Sequence, residues 1–378
     1  MRIAFILTMG DAPWGGSEVL WSKTAALALQ QGHAVFISTY RWPEIPSQLA
    51  ALQQDGAILF RRPGYRADII SRITNRLRLV GKLRSEEVRA IESFAPDLLV
   101  INQGGAHDII YREDLLPLLL SKQYRYCLLC HLYQDPIKLR EAERNIITRV
   151  YANAQQVFAI SRNQADVLQR QIATKLPHLS IVQNPINLPT QWPIAFPSSN
   201  VPQWAVVASL DSDRKGQDVL FEVLARPQWQ ERLWHLNLYG TGPDLAYLTK
   251  LATYYAIANR VTFKGHVADS GQIWAENHVL IIPSRLESGP MVLAEAMLSG
   301  RPVVATNVGM VKEWIQEGQN GFIAEASLPD SLDAALERCW TRQTDWEKIG
   351  QAAYAYAKPR VDFNASETMM NKFLALGK

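Results

Sequence analysis

The sequence predicts an α/β protein built from two Rossmann-like, doubly wound domains that face each other across a cleft. Short apolar runs alternate with segments of helical periodicity, which is typical of parallel sheets with helices on both faces. A proline-rich, aperiodic stretch interrupts this alternation near the middle of the chain, as a linker between domains would. A chain of 378 residues is also longer than one ordinary core requires.

The apolar runs predict six strands in each half of the chain. Those of the first half are 2–8, 34–39, 97–102, 125–130, 157–160 and 180–183. Those of the second half are 204–210, 234–239, 260–264, 278–282, 302–305 and 321–324. We therefore predict an N-terminal domain over 1–188, a linker over 189–203 and a C-terminal domain over 204–351. A helical segment over 352–378 is expected to pack back on the N-terminal domain.

Composition narrows the class of protein. Hydrophobic residues make up 48% and charged residues 20%, as in soluble globular proteins. The net charge of +3 gives no global signal for nucleic acid, and no nucleic-acid partner is expected. No signal-peptide pattern or bilayer-length apolar stretch is found, so the expected location is the cytoplasm. Cys127 and Cys130 lie three apart on a predicted strand and would point to opposite faces, which disfavours a redox or zinc pair.

Ligands of open α/β sheets bind beyond the carboxyl ends of the strands, so the chemistry is expected in the loops there. The loop after the first strand carries Gly15-Gly16-Ser17 before a helix, which would let an anion approach backbone N–H groups. A plain glycine turn with Ser17 as N-cap explains these residues equally well. The turn at Gly240-Thr241-Gly242 follows another strand and is a weaker signal of the same kind.

A second loop, 209–216, places Arg214 and Lys215 just before a predicted helix. Two cations there oppose the helix dipole, and a polyanionic ligand would reverse that penalty. Charge balance by Asp211 and Asp213 is the alternative explanation.

The strongest loop is 283–295. Pro290 fits the first position of a helix, with Glu287 in the preceding loop and Glu295 in the second helical turn. The N–H groups of Gly289, Met291 and Val292 lie between the two carboxylates, an arrangement that suits a diphosphate with hydroxyl groups on each side. Solvated surface glutamates are the alternative, but the apolar neighbours of Glu295 predict that its carboxylate is partly enclosed.

In this order the loops resemble the family-4 glycosyltransferases of the GT-B fold, also described as glycosyl transferases group 1. The most specific part is Glu287-x7-Glu295 followed by Gly300-Arg301-Pro302. Further matching pieces are Gly15-Gly16-Ser17-Glu18, His131, Ile160-Ser161, Asn184-Pro185, Lys215-Gly216, Gly240-Thr241-Gly242-Pro243, 263–267 and 320–322.

The resemblance implies a role for each matching residue. Lys215 would neutralise the donor diphosphate, and the backbone at Met291 and Val292 would hold its distal phosphate. Glu295 would bind the ribose and Glu287 the transferred sugar.

Three further positions follow from the same resemblance. Val267 lies where the family places the nucleobase, and Gly16 would let the N-terminal domain close over the phosphates. His131 would touch the sugar near its anomeric carbon, although a lone histidine that ends a buried strand is more often structural.

The chain departs from the family at Ser209, where an arginine on the diphosphate is usual, and Arg214 is the candidate substitute. The resemblance implies a retaining hexosyltransferase that uses a UDP- or GDP-sugar, with no cofactor and no metal, in polysaccharide or glycolipid biosynthesis. The acceptor would be a glycan, lipid or small molecule. Two other functions stay open: a metal-dependent glycosyltransferase that uses Asp211-Ser212-Asp213, and a catalytically idle sugar-nucleotide-binding module.

Residues 61–84 are strongly basic, with apolar residues at roughly helical spacing. They predict an amphipathic helix in contact with an anionic membrane, at its inner face in the cell. A solvated helix face packed on the N-terminal domain is the alternative.

Overall fold

The computed structural model describes residues 1–10, 12–63, 85–105, 107–132, 139–187 and 192–377. The chain forms two compact units. The first unit comprises 1–185 together with 362–378, and the second comprises 186–361. Each unit is an α/β structure with a parallel sheet, so the predicted fold class is confirmed.

The strands of the first unit are β1 (Arg2–Leu7), β2 (Ala34–Tyr40), β3 (Ile58–Arg62), β4 (Leu98–Gln103), β5 (Tyr126–Cys130), β6 (Gln156–Ala159) and β7 (Leu179–Ile181). Its helices are α1 (Val19–Gln30), α2 (Ser47–Gln54), α3 (Glu86–Phe94), α4 (Leu116–Leu120), α5 (Glu141–Asn153), α6 (Arg162–Ile172) and α16 (Ala365–Leu376). Short 3₁₀ turns lie at Gly16–Glu18 and Asp108–Tyr111.

The described strands of this unit pair in parallel in the order β3-β2-β1-β4-β5-β6-β7. Both faces are buried, and a separate apolar cluster covers each of them. Cys130 belongs to one cluster and Cys127 to the other, so the two thiols point to opposite faces as predicted. This sheet order places the carboxyl ends of β1, β4 and β5 side by side.

The sequence pattern missed β3, because its last two residues were assigned to the basic helix predicted over 61–84. Arg62 is instead buried at the end of this strand, with its guanidinium 3.9 Å from the centre of the Tyr40 ring. It donates to Ser38 Oγ at 2.9 Å and pairs with the buried carboxylate of Glu87 at 3.7 Å. A charged residue is tolerated there because an ion pair and hydrogen bonds compensate for lost hydration. The predicted helix therefore does not begin at 61, and its remaining part over 64–84 lies outside the described residues.

The strands of the second unit are β8 (Gln203–Val207), β9 (His235–Tyr239), β10 (Val261–Gly265), β11 (Val279–Ile282), β12 (Val303–Thr306) and β13 (Gly321–Ala324). Its helices are α7 (Ser212–Lys215), α8 (Gln217–Leu224), α9 (Pro227–Gln230), α10 (Leu245–Tyr254), α11 (Ser270–Glu276), α12 (Met291–Leu298), α13 (Val311–Trp314), α14 (Pro329–Trp340) and α15 (Trp346–Ala357). The strands pair in parallel in the order β10-β9-β8-β11-β12-β13, so β8 and β11 are neighbours.

The predicted linker over 189–203 is not a free connection in its described part. Trp192 packs on Tyr354, and the buried guanidinium of Arg301 donates to the backbone carbonyls of Ile194 and Ala195 at 3.1 and 2.7 Å. Residues 192–202 thus form a strap on the second unit. The reason is that a buried arginine has five donors to satisfy, and backbone carbonyls supply the acceptors.

The C-terminal segment predicted over 352–378 consists of two helices in different units. Helix α15 ends at Ala357 and belongs to the second unit, whereas α16 packs on α1 of the first unit. Ala365, Met369, Met370 and Phe373 of α16 are buried in the same apolar cluster as the β1 residue Phe5.

In the part of the chain that the structure describes, none of the helices combines the length and apolar character that a bilayer crossing requires.

Candidate functional site

In the second unit, Lys215 and Glu287 form an ion pair at the carboxyl edge of the sheet. Lys215 ends α7, which follows β8, and Glu287 lies in the loop after the neighbouring strand β11. The Nζ–Oε1 distance is 2.6 Å, and both side chains are largely buried, at 19% and 15% exposure. Ser284 Oγ also donates to Glu287 Oε1 at 3.0 Å. Two residues that the sequence placed 72 positions apart are thus in direct contact.

Gly216 explains how the two loops approach so closely. Its φ is +65°, and a Cβ atom built on it would lie 2.1 Å from the carbonyl oxygen of Pro283. Only glycine fits such a conformation against backbone. The backbone N–H groups of Arg285 and Leu286 then donate to the carbonyl of Arg214 at 2.8 and 3.1 Å.

Arg214 and Lys215 precede the N-terminus of α8, as the sequence predicted, but they also end a short helix that it did not predict. Both lie in the last turn of the short helix α7, with Gly216 between them and α8. The dipole of α7 therefore favours both cations. Arg214 is half exposed, and its Nε donates to Asp211 Oδ2 at 2.6 Å. Asp211 also caps α7 by accepting from the Arg214 N–H, so this pair matches the charge balance that was the alternative explanation.

Glu295 lies in the second turn of α12 and is partly enclosed, as the sequence predicted. Its Oε1 accepts from the backbone N–H of Asn187 at 3.1 Å. Asn187 is itself held, because its side chain donates to Ala268 O at 3.1 Å and its carbonyl accepts from Ser270 Oγ at 2.9 Å. Burial raises the pKa of Glu295 to about 7, and the Asn187 N–H offsets only part of that effect.

The remaining predicted residues of this unit follow the strands β9, β10 and β11 in the chain. Helix α12 begins at Met291, one residue later than predicted, with Pro290 as its N-cap. Gly289 therefore precedes the helix, while Met291 and Val292 are its first two residues, whose N–H groups have no intrahelical acceptor. Val292 and Val267 are half-buried and pack against one apolar cluster.

Gly240 follows β9 at a φ of +132°. A Cβ atom there would meet the Ala208 carbonyl oxygen at 2.0 Å. Gly240 therefore allows the loops after β8 and β9 to touch.

In the first unit, the predicted residues lie at the carboxyl ends of β1 and β5. Gly16 starts the 3₁₀ turn that leads into α1. Ser17 does not cap α1; its hydroxyl contacts Met9 Sδ and Glu18 Oε1 instead. His131 follows β5 and is buried, and its Nε2 is 2.9 Å from Asn102 Oδ1. Burial lowers the pKa of His131 to about 3, so the ring is neutral at physiological pH.

Glu18 contributes a carboxyl group to this hydrogen-bond network. It is 3% exposed, accepts from Trp21 Nε1 at 2.6 Å, and accepts from Asn102 Nδ2 at 3.3 Å. Burial raises the pKa of Glu18 to about 7, although hydrogen bonds from Trp21 and Ser17 and the charge of Arg62 lower it again in part.

Sequence reasoning assigned no role to Glu18, Asn102 or Asn187. A signal existed for Asn102, which interrupts the otherwise apolar run of β4 at its carboxyl end. Glu18 stood inside a matched motif but had no partner in the sequence that would suggest burial. Asn187 acts through its backbone N–H, and side-chain identity does not reveal such a contact.

Residues 202–342 match the family model described as Glycosyl transferases group 1. Curated relatives match over shorter stretches. The chain is 34% identical over 90 residues to the N-acetyl-alpha-D-glucosaminyl L-malate synthase of Bacillus anthracis, which is 24% of each protein. It is 34% identical over 137 residues to a GDP-mannose-dependent alpha-(1-6)-phosphatidylinositol monomannoside mannosyltransferase of Mycobacterium tuberculosis. That match covers 33% of this chain and 35% of the relative. The chain thus aligns with about a quarter to a third of the length of its curated relatives.

Solved structures resemble the whole chain in fold. Anabaena HepE in complex with UDP has a TM-score of 0.72 at 19% identity, with 99% of this chain and 100% of that chain covered. A glycosyltransferase from Rickettsia africae has a TM-score of 0.74 at 15% identity, with 100% and 98% covered. At such identities the likeness concerns the fold. Residues 202–342 are thus a Glycosyl transferases group 1 domain, carried by a chain with the GT-B fold.

Proposed function

We propose that this protein is a retaining glycosyltransferase that transfers a hexose from a UDP- or GDP-sugar to a glycan, lipid or small-molecule acceptor. The observation that carries the proposal is the contact of Lys215 with Glu287, beside the helix start that leads to the enclosed Glu295. A cation and helix N–H groups suit a diphosphate, and carboxylates suit the hydroxyls of a ribose and a sugar. The group 1 domain spans all three residues.

Each residue would have a separate task. Lys215 would stabilise the charge that develops on the leaving diphosphate, with the N–H groups of Gly289, Met291 and Val292 on its distal phosphate. Glu295 would accept hydrogen bonds from the ribose hydroxyls. Glu287 would turn from Lys215 to the hydroxyls of the transferred sugar.

Three further residues would shape the donor site. Val267 would line the nucleobase site and Gly240 would leave room for the ligand against the backbone. Gly16 would let backbone N–H groups approach the phosphates. Arg214 would contribute least to donor binding, because its guanidinium already forms an ion pair with Asp211.

The reaction would break the bond between the anomeric carbon and the diphosphate oxygen, and form a bond from that carbon to the acceptor oxygen. The acceptor proton would pass to an oxygen of the departing diphosphate. Attack on the face that the leaving group vacates retains configuration without a protein nucleophile. His131 would contact the sugar near this carbon.

We also propose that transfer needs no metal or other cofactor. Lys215 supplies the positive charge that a divalent ion would otherwise provide, and Asp211 of the Asp-Ser-Asp sequence is occupied as a helix cap and by Arg214. Transfer should therefore survive exhaustive EDTA treatment, whereas Lys215→Met should reduce it severely. Loss with EDTA and in Asp211→Ala/Asp213→Ala, together with an active Lys215→Met, would contradict this.

The nature of the donor is left open by the relatives. HepE has been crystallised with UDP and with UDP-glucose, whereas the mycobacterial relative depends on GDP-mannose. The test is a panel of UDP- and GDP-sugars, with nucleotide binding measured by calorimetry and release of nucleoside diphosphate measured in parallel. An idle binding module would bind a nucleotide and release none.

The two glutamates provide the sharpest variant pair. Glu295→Gln should weaken binding of the free nucleotide by about tenfold or more, as expected for lost hydrogen bonds to a charged group. Glu287→Gln should keep that affinity, because Glu287 is assigned to the transferred sugar, which a free nucleotide lacks, yet it should lower kcat severely. Glu222→Gln, a change at an exposed glutamate of α8, is the matched control. Equal losses of nucleotide affinity in the two site variants would refute this division of roles.

A further inference from the structure

Three neighbouring strand ends bring Glu18, Asn102 and His131 into one buried hydrogen-bond chain. Glu18 enters from the loop after β1, Asn102 is near the end of β4, and His131 follows β5. The exposures of the three residues are 3%, 0% and 7%. Nothing in the reaction outlined above uses Glu18 or Asn102.

The direction of these hydrogen bonds follows from the groups that face the Asn102 amide. The backbone carbonyl of Ser17 can only accept, and Glu18 Oε2 receives the Trp21 Nε1–H. The side-chain amide of Asn102 faces two acceptors, Glu18 Oε1 at 3.3 Å and the Ser17 carbonyl at 3.4 Å, so its NH₂ group must point that way. Asn102 Oδ1 is therefore the atom that faces His131, and His131 Nε2 must carry the proton.

This assignment fixes the other nitrogen of the ring. A neutral imidazole with its proton on Nε2 has a lone pair on Nδ1. His131 Nδ1 is buried and, within the described ranges, has no hydrogen-bond partner. A buried acceptor without a partner is costly for a purely structural histidine. A ligand hydroxyl would satisfy it.

We propose that Glu18 and Asn102 are positioning residues that hold His131 as the Nε2–H tautomer, so that Nδ1 accepts a hydrogen bond from a hydroxyl of the transferred sugar. The sugar part of this inference rests on the proposed function, whereas the tautomer does not. Asn102 acts on the imidazole directly, and Glu18 acts through Asn102 by fixing which way its amide points.

The tautomer is measurable in the full chain. In a protein labelled with ¹⁵N-histidine, two-bond proton–nitrogen correlations distinguish the Nε2–H, Nδ1–H and charged forms, and His131→Asn assigns the signal. The wild-type ring should be Nε2–H at neutral pH. A charged ring or the Nδ1–H form would overturn the inference.

Glu18→Gln is the informative variant because it is nearly isosteric. Glutamine has one oxygen, so it cannot accept from both Trp21 and Asn102. When its NH₂ faces Asn102, only the Ser17 carbonyl still holds the Asn102 amide, so part of the population should reverse, donate to His131 Nε2 and show the Nδ1–H tautomer. Asn102→Ala, which removes the acceptor, should likewise give a mixture of tautomers. An unchanged Nε2–H signal in both variants would overturn the positioning role.

Gln171→Ala is the matched control. Gln171 Oε1 lies 2.9 Å from Nε2 of His107, the other buried histidine of this unit, and repeats the amide–imidazole geometry. This variant should alter the His107 signal and leave that of His131 unchanged. A change at His131 there would mean that general loosening of the unit, rather than the network, controls the tautomer.

Measurements of kcat and of nucleotide affinity distinguish a failure of this inference from a failure of the proposed function. In Glu18→Gln and Asn102→Ala, kcat should fall by about tenfold to 100-fold, the loss expected for one hydrogen bond to a buried group, while affinity for the free nucleotide stays unchanged. Undiminished kcat in His131→Asn would overturn the sugar contact. Failure of the wild type to bind any nucleotide sugar would overturn the proposed function and the sugar ligand with it, whereas a wrong tautomer overturns the inference alone.

Discussion

The carboxyl group of Glu295 should make the stability of the second unit fall as pH rises. Burial raises its pKa to about 7 from an ordinary value of 4.5. Below pH 4.5 the folded and unfolded states both hold the proton, so the group contributes nothing. Between the two pKa values the unfolded chain releases the proton while the folded chain keeps it, which favours unfolding. The penalty grows until the folded pKa is passed and is complete above it.

The size of the effect follows from the same two values. A shift of one pKa unit corresponds to about 1.4 kcal/mol, so the full penalty is about 3 kcal/mol at pH 8. At pH 5, just above the unfolded pKa, it is less than about 1 kcal/mol. In Glu295→Gln the side chain does not titrate, so its pH-dependent contribution to the free energy of unfolding is removed. The free energy of unfolding of the variant relative to wild type should therefore rise by about 2 to 3 kcal/mol between pH 5 and pH 8.

Urea unfolding followed by tryptophan fluorescence measures this difference at each pH. Glu222→Gln is the matched control, because its carboxylate is exposed on α8 and its curve should parallel the wild type. A constant difference between Glu295→Gln and wild type across this range would refute the reasoning, since it would show that the carboxyl group titrates normally in the folded chain.

Other expectations follow from single contacts. Gly240→Ala should lower the free energy of unfolding by about 2 kcal/mol or more in a urea titration, because its Cβ would overlap the Ala208 carbonyl at a φ of +132°; an unchanged midpoint would contradict this. Arg301→Lys should release the strap over 192–202, since one ammonium cannot replace a guanidinium that donates to several carbonyls, and faster amide hydrogen exchange in this stretch would report it. Trp21→Phe removes the donor to Glu18 Oε2 and should raise the pKa of Glu18 further, measurable by the carboxyl ¹³C shift; a lowered value would contradict the network.

The strand pattern predicted most of the fold because apolar runs of strand length record burial directly. The exception is β3, which was missed because it ends in Arg61 and Arg62. Charged residues in a sequence predict an exposed segment, and the buried Glu87 that compensates Arg62 is known only from the structure. The break near Pro185 was visible, but the attachment of the following strap was not, since it depends on carbonyl groups that carry no sequence identity.

Part of the candidate site, too, could be predicted from the sequence, whereas the contacts between its residues could not. Lys215, Glu287 and Glu295 all lie shortly after the carboxyl end of a strand, where residue type and position together indicate chemistry. The pairing of Lys215 with Glu287 required the order of the strands, which places β8 beside β11. The partners of His131 required the three-dimensional neighbourhood of β1, β4 and β5. The residue roles themselves stay predictions until the variants are measured.

The return of α16 to the first unit reverses the usual order of folding during synthesis. The first unit lacks part of its apolar core until residues 365–376 leave the ribosome, since Met369, Met370 and Phe373 belong to the cluster that covers one face of its sheet. The second unit, 186–361, is by then complete. We therefore expect the nascent first unit to expose Phe5 and Trp21 to chaperones until α16 has been synthesised. A stop codon just before α16 would make that exposure permanent.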